Sequence, residues 1–247
     1  RNAVQLRDFG RQFGPLRAHV AKNYRDGDVP EVVIMTNQDA NGNFDPVGAG
    51  RGDGWHSDGT FEAIPPKATV LHSIAVPTSG GNTRFANMYM AYDSMPSALR
   101  TRIEHLNAVF RLRGRKYKTQ GIVSEDDFKR MSDVVHPVCR LHPVSGRKSI
   151  FVNPHHTLCI ADMPDDQSEA LLAEIFEWCE RPEFQWEQEW SVGDTIMWEN
   201  RSAWHRPRPD YPAGQLRKFL RTTICERGTD PNAGRSAEMG GTVRVAM

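Results

Sequence analysis

Glycine and proline punctuate this chain so densely that no apolar run is longer than a strand. Twenty glycines and 16 prolines are spread over 247 residues, and the longest aliphatic stretches are of the kind Val32-Val33-Ile34-Met35. A membrane-spanning helix needs about 18 consecutive apolar residues, so these runs exclude one. Strand-like segments are read at 31–35, 68–76, 149–153, 185–190, 195–198 and 218–224, with turns at 79–82 and at Gly146, Gly193 and Gly214. Three helices are predicted. Val4, Leu6, Phe9 and Phe13 recur at helical spacing before Gly14-Pro15, and Leu99, Ile103 and Leu106 share a face of 94–106. The third, 166–180, opens on a capping-box pair, Asp166 and Glu169, and carries Leu171, Leu172, Ile175, Phe176 and Cys179 as its buried stripe. Many short strands and few helices predict a mainly β fold, a sandwich or jelly roll with helices packed outside it and a mouth for a ligand.

Hydrophobic residues make up 38% of the chain, enough for one sizeable core, and a single domain over 1–247 is expected. Thirty-one basic residues balance 31 acidic ones, so no global field draws the protein to nucleic acid or to an anionic membrane. Any anion must be bound locally. Cys139, Cys159, Cys179 and Cys225 form no C-x-x-C pair and are too few for a disulfide scaffold, which points to a reducing compartment, the cytoplasm. The chain starts at Arg1, without methionine, and an N-terminal portion is expected to be missing. The Asn-, Asp- and Gly-rich stretch 37–54 reads as a long loop of the kind that carries function, and a polar tail follows Arg227. There is no internal repeat.

The loop delivers His56-x-Asp58. Residues two apart on extended backbone project to the same side, so an imidazole and a carboxylate can converge there, although the pair alone is equally compatible with a surface hydrogen bond. A second histidine, His205, ends a strand-like run. Two imidazoles and one carboxylate form the facial set that holds non-haem Fe(II) and leaves three of six positions open. Zinc is the competing ion, but it usually closes to four ligands. Arg217 and Arg221 fall on one face of the strand-like 217–224 with Phe219 and Thr223. If that face is interior, acids or bound anions must neutralise both guanidiniums; if it is exposed, solvent does. Beside an iron site, a keto-dicarboxylate cosubstrate accounts for Arg217, which would fork its far carboxylate, and leaves Arg221 for an anionic substrate.

Longer segments carry a resemblance. They are Phe9-Gly-Arg-Gln-Phe-Gly-Pro-Leu16, Trp55-His-Ser-Asp-Gly-Thr-Phe61, Val76-Pro-Thr-Ser-Gly-Gly-Asn-Thr83, His136-Pro137, Ser145-Gly-Arg-Lys-Ser149, Trp198-Glu-Asn-Arg201 with His205, and Arg217 to Thr223. In this order they resemble the motifs of the taurine dioxygenase-like (TauD/TfdA) family of Fe(II)/2-oxoglutarate-dependent oxygenases. Its members act on sulfonates, alkyl sulfates and aryloxyalkanoate herbicides. The resemblance implies a double-stranded β-helix in which His56, Asp58 and His205 bind Fe(II). It further implies that Thr83 and Arg217 hold the distal carboxylate of 2-oxoglutarate, that Trp198 lines that pocket, and that Arg221 supports the cosubstrate or grips the substrate anion. His19, and with less reason Asn153 and His155, fall where relatives place site residues. The implied reaction consumes O2, hydroxylates a small anionic organic substrate, in some cases with C–O or C–S cleavage, and releases succinate and CO2. A homo-oligomer and a mobile cover over 107–135 are family habits.

Two rival readings stand beside this one. Five basic residues among 111–118 suggest an oxidative demethylase of nucleic acids with the same cofactors, against which stand the net neutrality and the lack of aromatic interleaving. The other is a non-enzymatic jelly-roll binding protein.

Overall fold

The computed structural model describes residues 2–19, 24–50, 52–112 and 132–228. The chain begins with helix α1 (Ala3–Arg11), whose first turn is closed reciprocally: Asn2 Oδ1 accepts the Gln5 amide at 3.0 Å and Gln5 Oε1 accepts the Asn2 amide at 3.2 Å. Strands β1 (Leu16–Arg17) and β2 (Val32–Thr36) follow, then the four-residue helix α2 (Pro46–Ala49) inside the long loop, started by Asp45 Oδ1 accepting from the Val47 amide. Next come β3 (Ala68–Ala75), β4 (Thr83–Asn87), helices α3 (Met88–Asp93) and α4 (Ser97–Ile103), and β5 (Asn107–Phe110). Beyond the undescribed 113–131 lie β6 (Val134–Pro137), β7 (Cys139–Leu141), β8 (Lys148–Ile150) and β9 (Thr157–Ile160). Helix α5 (Asp165–Cys179) then leads to β10 (Gln185–Gln188), β11 (Thr195–Glu199), β12 (Ala203–Pro207) and β13 (Lys218–Ile224).

β13 organises the main sheet, which runs β1-β13-β3-β11 with β2 also paired to β13, all antiparallel. Its side chains alternate as the sequence pattern requires. Leu220 and Ile224 enter an apolar layer with Ala3 and Leu6 of α1, while Phe219 points the other way. A three-stranded sheet, β10-β4-β12, faces the main one. Leu71, Phe85, Trp198 and Phe219, drawn from β3, β4, β11 and β13, pack between the two. The largest core lies under α3, α4 and α5, where Ile103, Phe110, Phe151, Ile175 and Trp204 are buried. Facing antiparallel sheets with helices outside them are the expected jelly roll. Gly14 is held by packing, since a Cβ there would sit 2.4 Å from the Cys225 carbonyl oxygen, too close for any side chain.

Local differences from the sequence reading have local causes. Val4 and Phe9 are exposed, and α1 buries Ala3, Leu6 and Gly10 instead, because its close contact with β13 needs small residues. The helix expected over 94–106 is the shorter α4, and a separate helix, α3, precedes it. Asn87 caps α3 by accepting from the Tyr89 and Met90 amides, and Pro96 sits at the N-cap position of α4. α5 starts at Asp165 after Pro164 with no side-chain cap, so Asp166 and Glu169 form no capping box. Asp165 and Asp166 instead place negative charge at the positive end of the helix dipole. Strand pairing covers only Lys148–Ile150 of the run expected over 149–153, and Gln185–Gln188 of 185–190. The expected cover over 107–135 begins in β5 and ends in β6; most of what lies between, like the tail from 229, is outside the described residues. Among the described residues no helix is long and apolar enough to cross a membrane.

Candidate active site

A cavity lies between the two sheets, and His19, His56, Asp58, Thr83, His155, Trp198, His205, Arg217 and Arg221 all line it. Asn153 does not. It is buried behind the wall, where its Nδ2 donates to Thr60 Oγ1 at 3.0 Å and its Oδ1 accepts the His156 amide at 2.9 Å. Its task is to hold the turn that presents His155 and His156, and the weak expectation of a direct role is corrected accordingly.

His56 and His205 meet through their backbones before their rings. The His56 amide donates to the His205 carbonyl at 3.1 Å and the His205 amide to the His56 carbonyl at 2.8 Å, an isolated bridge that brings the ring centroids to 4.2 Å. His56 Nδ1 lies 2.9 Å from the Gly54 carbonyl oxygen, an acceptor only. The ring proton therefore sits on Nδ1, and the Nε2 lone pair is turned to the cavity. Both Nε2 atoms lie 3.8 Å from Asp58 Oδ1, and one ligand atom from each of the three residues falls within 4.8 Å of the others.

Burial, then the neighbouring His205, pushes His56 down to about 3; burial likewise pushes His205 down to about 4, against the pull of Asp58. Burial by itself would raise Asp58, but the Arg221 guanidinium 2.9 Å from Oδ1, both imidazoles and the Thr69 hydroxyl hold its carboxyl well below the usual range. Two unprotonated imidazoles and one ionised carboxylate, all buried, fit ferrous iron as a facial ligand set.

The same burial makes the metal-free fold acid-sensitive. His56 and His155 titrate near 3 and His136 and His205 near 4, each with burial as the main cause, whereas a free histidine titrates near 6.5. Below that value the unfolded chain binds protons that the folded chain refuses. Stability is therefore complete above pH 6.5 and falls as pH drops towards 4. Each histidine removes about 1.4 kcal/mol per pH unit, so two alone would remove about 5 kcal/mol by pH 4.5. Urea midpoints of metal-free protein should fall steadily from pH 7 to pH 5, and a flat profile over that range would refute these burial assignments.

At one end of the cavity Arg217 stands without a counter-charge. Its Nε donates to the Gly81 carbonyl at 2.9 Å, its Nη2 lies 3.4 Å from Thr83 Oγ1, and its guanidinium stacks over Phe219 at 4.3 Å. No carboxylate among the described residues pairs with it, and burial pushes it down to about 10. Gly80 and Gly81, both at φ +68°, shape the turn that offers this carbonyl; side chains rarely adopt that conformation. Thr83 Oγ1 already accepts from Trp190 Nε1 at 3.0 Å and from Arg217, so its single hydrogen is left to donate to an incoming oxygen. This end thus presents a buried guanidinium and a hydroxyl hydrogen to the cavity.

Several cavity residues escaped the sequence reading. Asn37 accepts the Arg217 amide at 2.9 Å and donates to the Gln215 carbonyl at 2.8 Å, fixing where the arginine enters. Arg17 and Glu62 form a buried ion pair in the wall, and His156 stands edge-on to Phe61. No local pattern marks these residues, because each acquires its neighbour only when strands assemble.

Comparison with known proteins agrees with this geometry. The model of the family described as taurine catabolism dioxygenase TauD, TfdA family matches residues 2–223. The chain is 33% identical over 228 residues to the alpha-ketoglutarate-dependent 2,4-dichlorophenoxyacetate dioxygenase of Cupriavidus pinatubonensis, covering 88% of this chain and 79% of that one. It is 30% identical over 211 residues to the (S)-phenoxypropionate/alpha-ketoglutarate-dioxygenase of Sphingobium herbicidovorans, 81% of this chain and 71% of that one. The crystal structure of AAD-2 in complex with Mn(II) and N-oxalylglycine superposes with a TM-score of 0.74 at 28% identity, over 91% of this chain and 80% of that one.

Proposed function

Because the chain belongs to the TauD, TfdA family and is an Fe(II)- and 2-oxoglutarate-dependent dioxygenase, we propose that His56, Asp58 and His205 hold the iron and that its substrate is a small organic anion received beside Arg221. The observation that carries the reading is the disposition of charge on β13 and the residue before it. Arg217 and Arg221 face one cavity on either side of Phe219; among the described residues the first has no carboxylate partner, and the second touches Asp58 while its buried Nε has no acceptor. A buried N–H without an acceptor is costly and is satisfied when an anion arrives. Bound iron with 2-oxoglutarate and O2 supplies the oxidising power that hydroxylates an unactivated carbon and releases succinate and CO2.

The protein's own residues do the rest. Arg217, with the Thr83 hydroxyl, takes the distal carboxylate of 2-oxoglutarate and so fixes its orientation. Trp198, packed against the His205 ring at 4.7 Å, walls off one side of the ion site. Arg221 neutralises Asp58 and offers its remaining donor to the substrate's anionic group. His19 and His155 bound the substrate side, and burial keeps the His155 imidazole neutral at neutral pH. Aryloxyalkanoates are the first class to try, since two relatives carry such substrates in their names. The same proposal places residues 1–247 in one catalytic domain, in the cytoplasm, working as a homo-oligomer without nucleic acid or membrane partners. Its support is the buried state of all four free cysteines and the balanced charge.

Succinate release should be screened over aryloxyalkanoates, alkyl sulfates and sulfonates, against neutral analogues in which an amide replaces the anion. Anions should turn over and amides should not, and Arg221→Met should raise KM for the anion about 10- to 100-fold, as expected for one charge-assisted contact. Equal turnover of acid and amide would remove the anion from the proposal.

A further inference from the structure

Asp58 has two oxygens, and they are used differently. Oδ1 faces both histidine Nε2 atoms at 3.8 Å. Oδ2 accepts the hydroxyl hydrogen of Thr69 at 2.6 Å, and Thr69 Oγ1 in turn accepts from Asn200 Nδ2 at 3.1 Å. Thr69 lies in the middle of β3, in register with Trp198 on β11 and Thr223 on β13, and is wholly buried. Asn200 is equally enclosed and is pinned by its amide donating to the Lys67 carbonyl at 2.9 Å. Neither partner can follow the carboxylate if it turns, because both are fixed by backbone pairing at the centre of the molecule. Turning Oδ2 towards the ion would exchange the 2.6 Å bond from the buried Thr69 hydroxyl for a poorer one to Asn200 Oδ1, which lies 3.4 Å away.

From this we infer that Thr69, steadied by Asn200, is a positioning residue that limits Asp58 to one metal-binding oxygen. The inference rests on the assignment of His56, Asp58 and His205 as the iron ligands and goes beyond it. Its chemical consequence is a matter of counting. Two imidazoles and one carboxylate oxygen occupy three positions of an octahedron and leave three; a carboxylate binding through both oxygens leaves two. A chelating 2-oxoglutarate fills two positions, so the last one exists only while Oδ2 is kept away. Thr69 itself lies outside the sequence motifs, whereas Asn200 belongs to Trp198-Glu-Asn-Arg201.

The test uses Co(II) as the probe ion, read by its visible absorption, with titration of 2-oxoglutarate into the Co(II) protein. Thr69→Val keeps the shape of the side chain and removes the donor. It should bind Co(II) and 2-oxoglutarate within about threefold of the parent, but azide added to the Co(II) and 2-oxoglutarate complex should bind about tenfold more weakly and the Co(II) spectrum should be displaced, and Thr69→Ser should restore both readouts. Asn200→Leu, which leaves Thr69 in place but unsteadied, should fall between, and serves with Thr69→Ala if valine is not accommodated. Parent-like azide affinity of the complex together with a parent-like spectrum in folded Thr69→Val would overturn the inference, as would loss of Co(II) binding from the folded variant. Failure of the parent itself to bind Co(II) would instead overturn the ligand assignment beneath it.

Discussion

Asp58→Asn should lose Fe(II) binding by about 100-fold or more and should also lower the stability of the metal-free chain by about 3–5 kcal/mol. The two losses have separate origins in one side chain. As a proposed ligand, Asp58 supplies the only negative charge among the three converging residues. As a counter-ion, it lies 2.9 Å from the Arg221 guanidinium, and the two side chains are only 8% and 14% exposed. Asparagine keeps the shape and an oxygen that can still accept from Thr69, but it leaves Arg221 buried with its charge uncompensated. His205→Gln separates the effects, since it removes a ligand without removing a charge: metal binding should fall and the urea midpoint should stay near that of the parent. Calorimetric titration with Mn(II) and urea unfolding without metal measure the two quantities. If Asp58→Asn left the unfolding midpoint unchanged, Arg221 would have to be neutralised by some other group, and its role as an anion receptor would need to be redrawn.

This dual use of Asp58 shows where sequence reading works and where it stops. β13 was legible because its pattern is binary. Leu220, Thr222 and Ile224 alternate with Phe219, Arg221 and Thr223, and a strand has no choice but to place the two sets on opposite faces. The convergence of His56, Asp58, His205 and Arg217 on one cavity was legible through the order of their motifs along the chain. Thr69 was not, because nothing in 68–76 separates a threonine that packs from one that holds a carboxylate; the distinction arises from the register that sets β3 beside β11 and β13. Arg17 and Glu62 escaped for the same reason, their pairing being a product of the closed fold. The helix errors are of another kind. In α5 an acidic first turn imitates a capping box, and the true start is set by Pro164, whose ring fixes the backbone entering the helix. In α1 the periodicity was correct but the buried face was displaced, since close approach to β13 favours Ala3 and Gly10 over larger neighbours.

Arg217→Met should weaken 2-oxoglutarate binding by about 100- to 1,000-fold, the cost expected for deleting one side of a desolvated charge pair. Stability should move the other way. In the absence of cosubstrate the Arg217 guanidinium is desolvated, stacked on Phe219 and unpaired with any described carboxylate, so a methionine of similar length should leave the metal-free chain as stable as the parent or more stable by about 1 kcal/mol. Binding and stability are thus opposed at Arg217 and aligned at Asp58. The difference follows from the counter-ion: Asp58 has its own within the fold, whereas the counter-ion of Arg217 must arrive with the cosubstrate. Arg217→Lys keeps the charge but loses the fork and the donor now held by the Gly81 carbonyl, and should fall between, about tenfold weaker than the parent. An anaerobic titration of 2-oxoglutarate into the Fe(II) protein, followed by its visible absorption band, measures the affinities, and urea unfolding measures the stabilities. Parent-like affinity in Arg217→Met would move the distal carboxylate away from β13 and leave the vacant guanidinium without a purpose. A loss of several kcal/mol in the metal-free chain would mean that Arg217 already has an internal partner, and the cavity would then contain no preformed carboxylate receptor at that end.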